Sequence, residues 1–237
     1  MAGPFPIPPS TIIIPTDQHS TDQSSTPLRI GIIVFPGFQA LDAFGPLDCL
    51  NVLSWTHNLT LSIISTTLSP VSTQIPLSPN ALGQSILPTH TFATAPDLDV
   101  LLVPGGRGTR ASTPAIQDAI TYIRTVYPKL QHLITVCTGS GLAARAGILD
   151  GRRATTNKMI FDEIAALGPN VNWVPQARWV VDGNIWTSSG VSAGIDVTFA
   201  WIEMVFGETV AEKIANGLEY TRHRDANVDP FAKVHGL

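Results

Sequence analysis

Charge is what this 237-residue chain has least of: Asp, Glu, Lys and Arg together make up 14% of it, against about a quarter of an average soluble domain. Such a chain is expected to cover part of its surface, and a homo-oligomeric interface is the natural cover. The formal net charge is −4 and no Lys/Arg cluster occurs, which leaves no electrostatic footprint for nucleic acid. The two cysteines, Cys49 and Cys137, lie far apart and outside any C-x-x-C spacing. That excludes a disulfide framework and a thiolate metal site, and it favours a reducing, cytoplasmic compartment. The six histidines show no H-x-x-x-H spacing, so no metal is expected. Phosphate-loop and dinucleotide-binding glycine fingerprints are missing too. No apolar run is long enough to span a membrane, and Ile12 to Ile14 are too few for a signal segment.

What the chain does have falls into three parts. Residues 1–27 are rich in Pro, Ser and Thr, a composition that builds no core, and are expected to form a flexible extension. Residues 28–220 alternate buried-type strands with helical segments, the pattern of an α/β fold with a mostly parallel sheet. Residues 221–237 read as an irregular tail. Within the middle part, Leu28–Phe35, Leu59–Ser65 and Asp99–Val103 read as strands, and Pro70–Thr91 as a turn-rich stretch with hairpin or edge structure. Helical spacing runs over Leu41–Leu53, Pro114–Val126, Lys158–Leu167, Val191–Phe206 and Glu208 to about Tyr220, and Trp173–Thr187 reads as β segments around a turn at Asp182 and Gly183.

The chain is organised around LITVCTGSGLAARAG, Leu133–Gly147, where a strand runs into a cysteine and then a Gly-flanked helix. Cys137 is thus expected at a strand-to-helix turn in a strained backbone conformation, with helix N-terminal amides aimed at its sulfur and its pKa lowered. Gly139 and Gly141 permit the tight backbone, and Thr138 and Ser140 bring hydroxyls to the same space. The alternative is a buried structural cysteine. Right-handed crossovers put strand carboxyl ends on one sheet edge, so Asp42, Gly105, Gly106 and Cys137 are expected to converge. Asp42 reads equally as a first-turn acid of its helix. The Gly105–Gly106 loop reads as a turn or as an oxyanion-type nest of backbone N–H groups. Thr155, Thr156 and Asn157 form one more possible site loop. His223 is the candidate base of a Cys-Asp-His arrangement, although G-x-S-x-G spacing is not met around Cys137.

Taken together, FPGFQALDAFGPLD, DVLLVPGG, ITVCTGSGLAARAGILDGRRATTN, SSGVSAGID and LEY resemble the DJ-1/PfpI branch of the class I glutamine amidotransferase-like superfamily, and within it the isonitrile (isocyanide) hydratases. The resemblance runs from Leu28 to about Tyr220 in matching order. It implies a flavodoxin-like three-layer sandwich, a homodimer with sites near the interface, and a nucleophile-elbow cysteine. By the same resemblance Cys137 is the nucleophile and Asp42 the carboxylate hydrogen-bonded to the thiol or substrate. Thr138 completes the catalytic set, while Gly105, Gly106, Gly139 and Asn157 line the polar cradle for a small-molecule substrate. The implied chemistry is hydration of an isonitrile to an N-substituted formamide through a thioimidate, with no metal or organic cofactor. Many family members have histidine where this chain has Asn157, and Asn cannot carry a proton, which weakens any histidine-assisted glyoxalase or hydrolase reading. A different small electrophile as substrate, or a non-catalytic redox-sensing or binding module, is the remaining alternative.

Overall fold

The computed structural model describes residues 27–75 and 80–237, so apart from Pro27 the expected extension lies outside the described residues. The chain runs β1 (Leu28–Ile33), α1 (Ala40–Leu53), β2 (Leu59–Ser65), β3 (Val71–Ser72), β4 (Ser85–Ile86), β5 (His90–Thr91), β6 (Val100–Val103), α2 (Pro114–Val126), β7 (His132–Thr135), α3 (Gly139–Arg145), β8 (Arg153–Ala154), α4 (Phe161–Ala165), β9 (Asn172–Trp173), β10 (Trp179–Asp182), β11 (Ile185–Ser188), α5 (Ala193–Phe206), α6 (Glu208–Gly217) and α7 (Pro230–Val234). Seven strands form one sheet in the order β10-β11-β7-β6-β1-β2-β5, parallel except for the β10–β11 pair. The apolar, β-branched runs of β1, β6 and β7 are the strands covered on both faces, as their near-complete burial requires.

From β1 the chain steps outward to β2 and β5, then returns to β6 on the other side of β1. Right-handed crossovers in opposite directions place their helices on opposite faces. Helices α1, α5 and α6 pack together, and α2, α3 and α4 form the second group. The result is a flavodoxin-like α/β arrangement, a mostly parallel sheet between helices. The direction of winding reverses between β1 and β6, so the loops after these strands leave a crevice at the carboxyl edge, where α/β folds place their ligand sites. Among the described residues no helix is long and apolar enough to cross a membrane.

Several elements differ from expectation. The helix predicted over Lys158–Leu167 is confined to Phe161–Ala165. The cause is an Asx turn, in which Asn157 Oδ1 accepts from Met159 N–H at 2.9 Å and competes with helix initiation. The helix predicted to Tyr220 stops at Gly217, with Glu219 at φ 51° breaking the helical path. The tail is not irregular: α7 starts at Pro230, capped by Asp229, whose side chain accepts from Phe231 N–H.

The tail is also tied down. Arg178 is buried and pairs with Asp196 at 2.6 Å, with Asp229 3.9 Å away. Asp196 accepts further from the Tyr220 hydroxyl and the His223 N–H. Removing one member of a buried pair leaves an uncompensated charge. Asp196→Ala should therefore cost about 3–5 kcal/mol in urea unfolding, and a loss below 1 kcal/mol would show that the pair is not a structural tie.

Candidate active site

Cys137 follows β7 with φ 57°, a left-handed conformation rare for a non-glycine residue. The sequence reading placed it at a strained strand-to-helix turn, and there it stands. Its backbone is gripped at both ends. The Cys137 N–H donates to Ser189 O at 3.0 Å, and the Cys137 carbonyl accepts from Ser140 Oγ (3.1 Å) and Thr156 Oγ1 (3.0 Å). Gly139 is needed because a Cβ there would lie 2.2 Å from Val103 O.

Asp42 sits in the first turn of α1, 1% exposed, with Oδ2 accepting from Gly105 N–H at 2.9 Å. Its Oδ1 is buried with no N–H or O–H donor. Downstream Pro46 has no N–H to give the Asp42 carbonyl, which frees that turn of the helix. Gly105 admits the carboxylate because a Cβ there would lie 2.5 Å from Thr138 N and 2.8 Å from Asp42 Oδ2. Burial pushes the Asp42 pKa up to about 7, against the pull of the Gly105 amide and the Cys137 thiol.

The expected lowering of the Cys137 pKa is not found. Burial first, and then the Asp42 charge, push the thiol up to about 12, while hydrogen bonds from Val191 N–H, Asn157 and Thr138 N–H pull the other way. The helix that was to lower it, α3, has seven residues, and its influence loses to desolvation. At rest the pair is a thiol beside a carboxyl group that titrates near neutrality.

The glycine loop also acts differently from the oxyanion nest considered above. Gly105 N–H is spent on Asp42, and Gly106 N–H donates to Thr138 Oγ1 at 2.9 Å. The Thr138 hydroxyl is 3% exposed and also accepts from Thr109 Oγ1 at 2.9 Å, so it ties the loop down, and only its backbone N–H reaches the sulfur. These groups hold the carboxyl in place and leave no free amide pair in this conformation. Asn157 does reach the site, with Nδ2 donating to Cys137 Sγ at 3.2 Å. Because Oδ1 is taken by Met159 N–H, the amide must present its donor side to sulfur. His223 is engaged elsewhere, through its ring to Val228 O and its N–H to Asp196.

Two contributors escaped the sequence reading. Val191, at φ 37°, turns its N–H onto the sulfur, and Gly190 leaves room for Asn157, since a Cβ there would lie 2.7 Å from Nδ2. The only available signal was the glycine in SSGVSAG, which is ambiguous without knowledge of where Asn157 lies. A Cβ at Gly141 would meet Ile164 of α4 and Leu167 just beyond it. Cys49, by contrast, is fully buried in the core as expected.

A cysteine elbow after β7, facing an acid from the start of α1 across the crevice of a flavodoxin-like sheet, defines a class of α/β proteins built around one thiol. Residues 28–204 match the DJ-1/PfpI family, and the chain belongs to it. It is 35% identical over 196 residues to the isonitrile hydratase of Pseudomonas putida, covering 81% of this chain and 78% of that protein. It is 28% identical over 206 residues to the HTH-type transcriptional regulator GbdR of Pseudomonas aeruginosa, of which the match covers 53%. The crystal structure of a THiJ/PfpI family protein from Pseudomonas syringae superposes with a TM-score of 0.71 at 26% identity, covering 96% of this chain and 91% of that one.

The Asp42 pKa gives a test of the geometry through stability. The folded carboxyl, at about 7, binds its proton more tightly than the unfolded one, near 3.8. Its contribution is therefore fully present below the unfolded value and lost as pH rises through about 7. Asp42→Asn, which keeps an acceptor for Gly105 N–H, should melt higher than the unaltered protein above pH 7, with the gain vanishing as pH falls towards 4. A pH-independent difference in thermal melts would mean that the carboxyl is not held near neutrality.

Proposed function

We propose that this protein hydrates isonitriles to N-substituted formamides, with Cys137 as nucleophile and Asp42 as the proton carrier. The observation that carries this reading is the pairing of the Cys137 thiol with a buried carboxyl whose pKa is about 7. The remaining side chain at the sulfur, Asn157, can donate a hydrogen bond but cannot carry a proton. Addition to R–N≡C places sulfur and hydrogen on the same carbon, so one carrier beside the thiol suffices. Ionised Asp42 takes the S–H proton as the C–S bond forms, then delivers it to the same carbon as the new C–H, giving R–N=CH–S–Cys137. The N–H groups of Val191 and Thr138 and the Asn157 amide face the charge that develops on sulfur.

The second half hydrolyses the thioimidate. Asp42 Oδ1, buried and with no N–H or O–H donor, accepts one proton of the attacking water as C–O forms and passes it to the nitrogen, giving R–NH–CH(OH)–S–Cys137. As C–S breaks, the carboxylate takes the remaining hydroxyl proton and delivers it to sulfur, releasing R–NH–CHO and restoring the thiol. The whole sum is R–N≡C plus H₂O, with no external oxidant or reductant. Similarity to the Pseudomonas putida isonitrile hydratase over most of both chains supports the reading.

A homodimer belongs to the same proposal. While α1 turns Asp42 inward, its outer side exposes Leu41 and Phe44, and these line an apolar groove with Leu61, Ile63 and Ile195. A second copy covering this groove accounts for the low charge content. Light scattering should give twice the chain mass, and Phe44→Glu should shift it towards the monomer. A monomeric unaltered protein at micromolar concentration would remove this part.

Turnover of a panel of small isonitriles, followed as formamide by mass spectrometry, tests the chemistry. Cys137→Ser should abolish turnover, and Asp42→Asn should lower kcat by roughly a hundredfold, whereas His223→Ala should leave it within about twofold. Loss with His223→Ala and retention with Asp42→Asn would overturn the assignment.

A further inference from the structure

Lys158 is a buried ammonium that the proposed chemistry does not use. It is 3% exposed, and its Nζ donates to Thr155 Oγ1 at 2.6 Å and Ala177 O at 2.7 Å, both neutral acceptors. The Phe161 ring lies 5.5 Å below it. Negative charge comes only at longer range from Asp229, whose Oδ2 is buried and unpartnered, while Arg178 adds a second positive charge. Burial lowers its pKa to about 8, so near neutral pH it keeps its proton. Holding a buried cation on neutral partners is costly, and an apolar side chain of the same length would serve packing better. The position therefore calls for a reason other than stability.

The reason lies in where its two neighbours reach. Thr156 Oγ1 holds the Cys137 carbonyl, and Asn157 Nδ2 holds the Cys137 sulfur. Just before them, Thr155 N–H donates to Thr187 Oγ1 at 2.9 Å. On the far side, Ala177 adjoins Arg178, whose carbonyl accepts from Ser189 N–H, and Ser189 O in turn holds the Cys137 N–H. Two separate grips on Cys137 thus come from two chain segments, and Lys158 ties one segment to the other.

We propose that Lys158 is a positioning residue for the Cys137 thiol: by binding Thr155 and Ala177 together, its ammonium keeps the Asn157 amide on the sulfur. This rests on Cys137 being the nucleophile of the proposed function, and it predicts an effect on the thiol itself, whatever the substrate. Without the tie the 155–158 segment relaxes and the sulfur loses a donor. The thiolate form is then disfavoured and reactivity at a fixed pH falls.

The test is the rate of Cys137 alkylation by iodoacetamide in the full chain, read residue by residue by mass spectrometry so that Cys49 does not contribute. Lys158→Met should slow it about fivefold, the worth of one ordinary hydrogen bond of about 1 kcal/mol. Asn157→Leu should slow it by a similar factor. The double variant should be no slower than either single one, because both remove the same contact. Lys158→Gln, which shortens the side chain and removes its charge while staying polar, keeps the test alive if Lys158→Met does not fold, and should slow alkylation about two- to threefold. A lowered melting temperature with unchanged alkylation in either variant would reduce Lys158 to a structural role and overturn the proposal, as would multiplicative rates in the double variant. Failure of Cys137 in the unaltered protein to react at any pH up to 10 would instead remove the nucleophile reading, and this inference with it.

Discussion

The left-handed conformation of Cys137 is the constraint on which the site depends. A cysteine at φ 57° is held there because its N–H and carbonyl are both claimed, by Ser189 on one side and by Ser140 and Thr156 on the other. Relaxing to an extended conformation would break those bonds, each worth about 1 kcal/mol. The seven-stranded sheet supplies the frame: β7 and β11 run side by side, so the segments that follow them arrive together, one bearing the cysteine and the other the carbonyl that fixes it. The fold thereby stores strain at a single residue and spreads the cost over its neighbours.

Against that fixed sulfur stands the Asp42 carboxyl, carried by the helix after β1. Its pKa near neutrality and the high pKa of the thiol share a first cause, burial away from water, to which the Asp42 charge adds in the case of the thiol. In the proposed chemistry a carboxylate in water would be too weak a base to take the thiol proton, and one without the Gly105 amide would already be protonated at neutral pH and so could not accept it. The glycine loop therefore serves the site by tuning an acid, and Thr138 and Thr109 keep the loop in place.

Much of this was legible in the sequence because it follows from position along strands. Continuous apolar runs mark β1, β6 and β7, and right-handed crossovers send the residues after each to one edge, which is why the sequence alone groups Asp42, Gly105 and Cys137. Side-chain commitments were not legible. Nothing in GRRATTNK shows that Asn157 would turn its donor to a sulfur twenty positions back or that Lys158 would be buried behind it. The start of α4 shifted for the same reason, since Asn157 closes an Asx turn where helical spacing alone predicts a helix. The thiol pKa was misjudged because turn context reveals nearby amides but not the depth of burial, and here desolvation outweighs three donors. The tail looked irregular because α7 is five residues long and depends on Asp229 at its start.

Among the described residues no cation bears on the sulfur: its donors are two backbone amides and a neutral side-chain amide, and the Lys158 ammonium is turned to Ala177 and Thr155. A ligand bearing a carboxylate or phosphate would meet Asp42 with nothing to offset the repulsion, and would shed its hydration without replacement. An uncharged ligand with a small dipole meets no such barrier. At the proposed site, charge thus discriminates between ligands before their shape does.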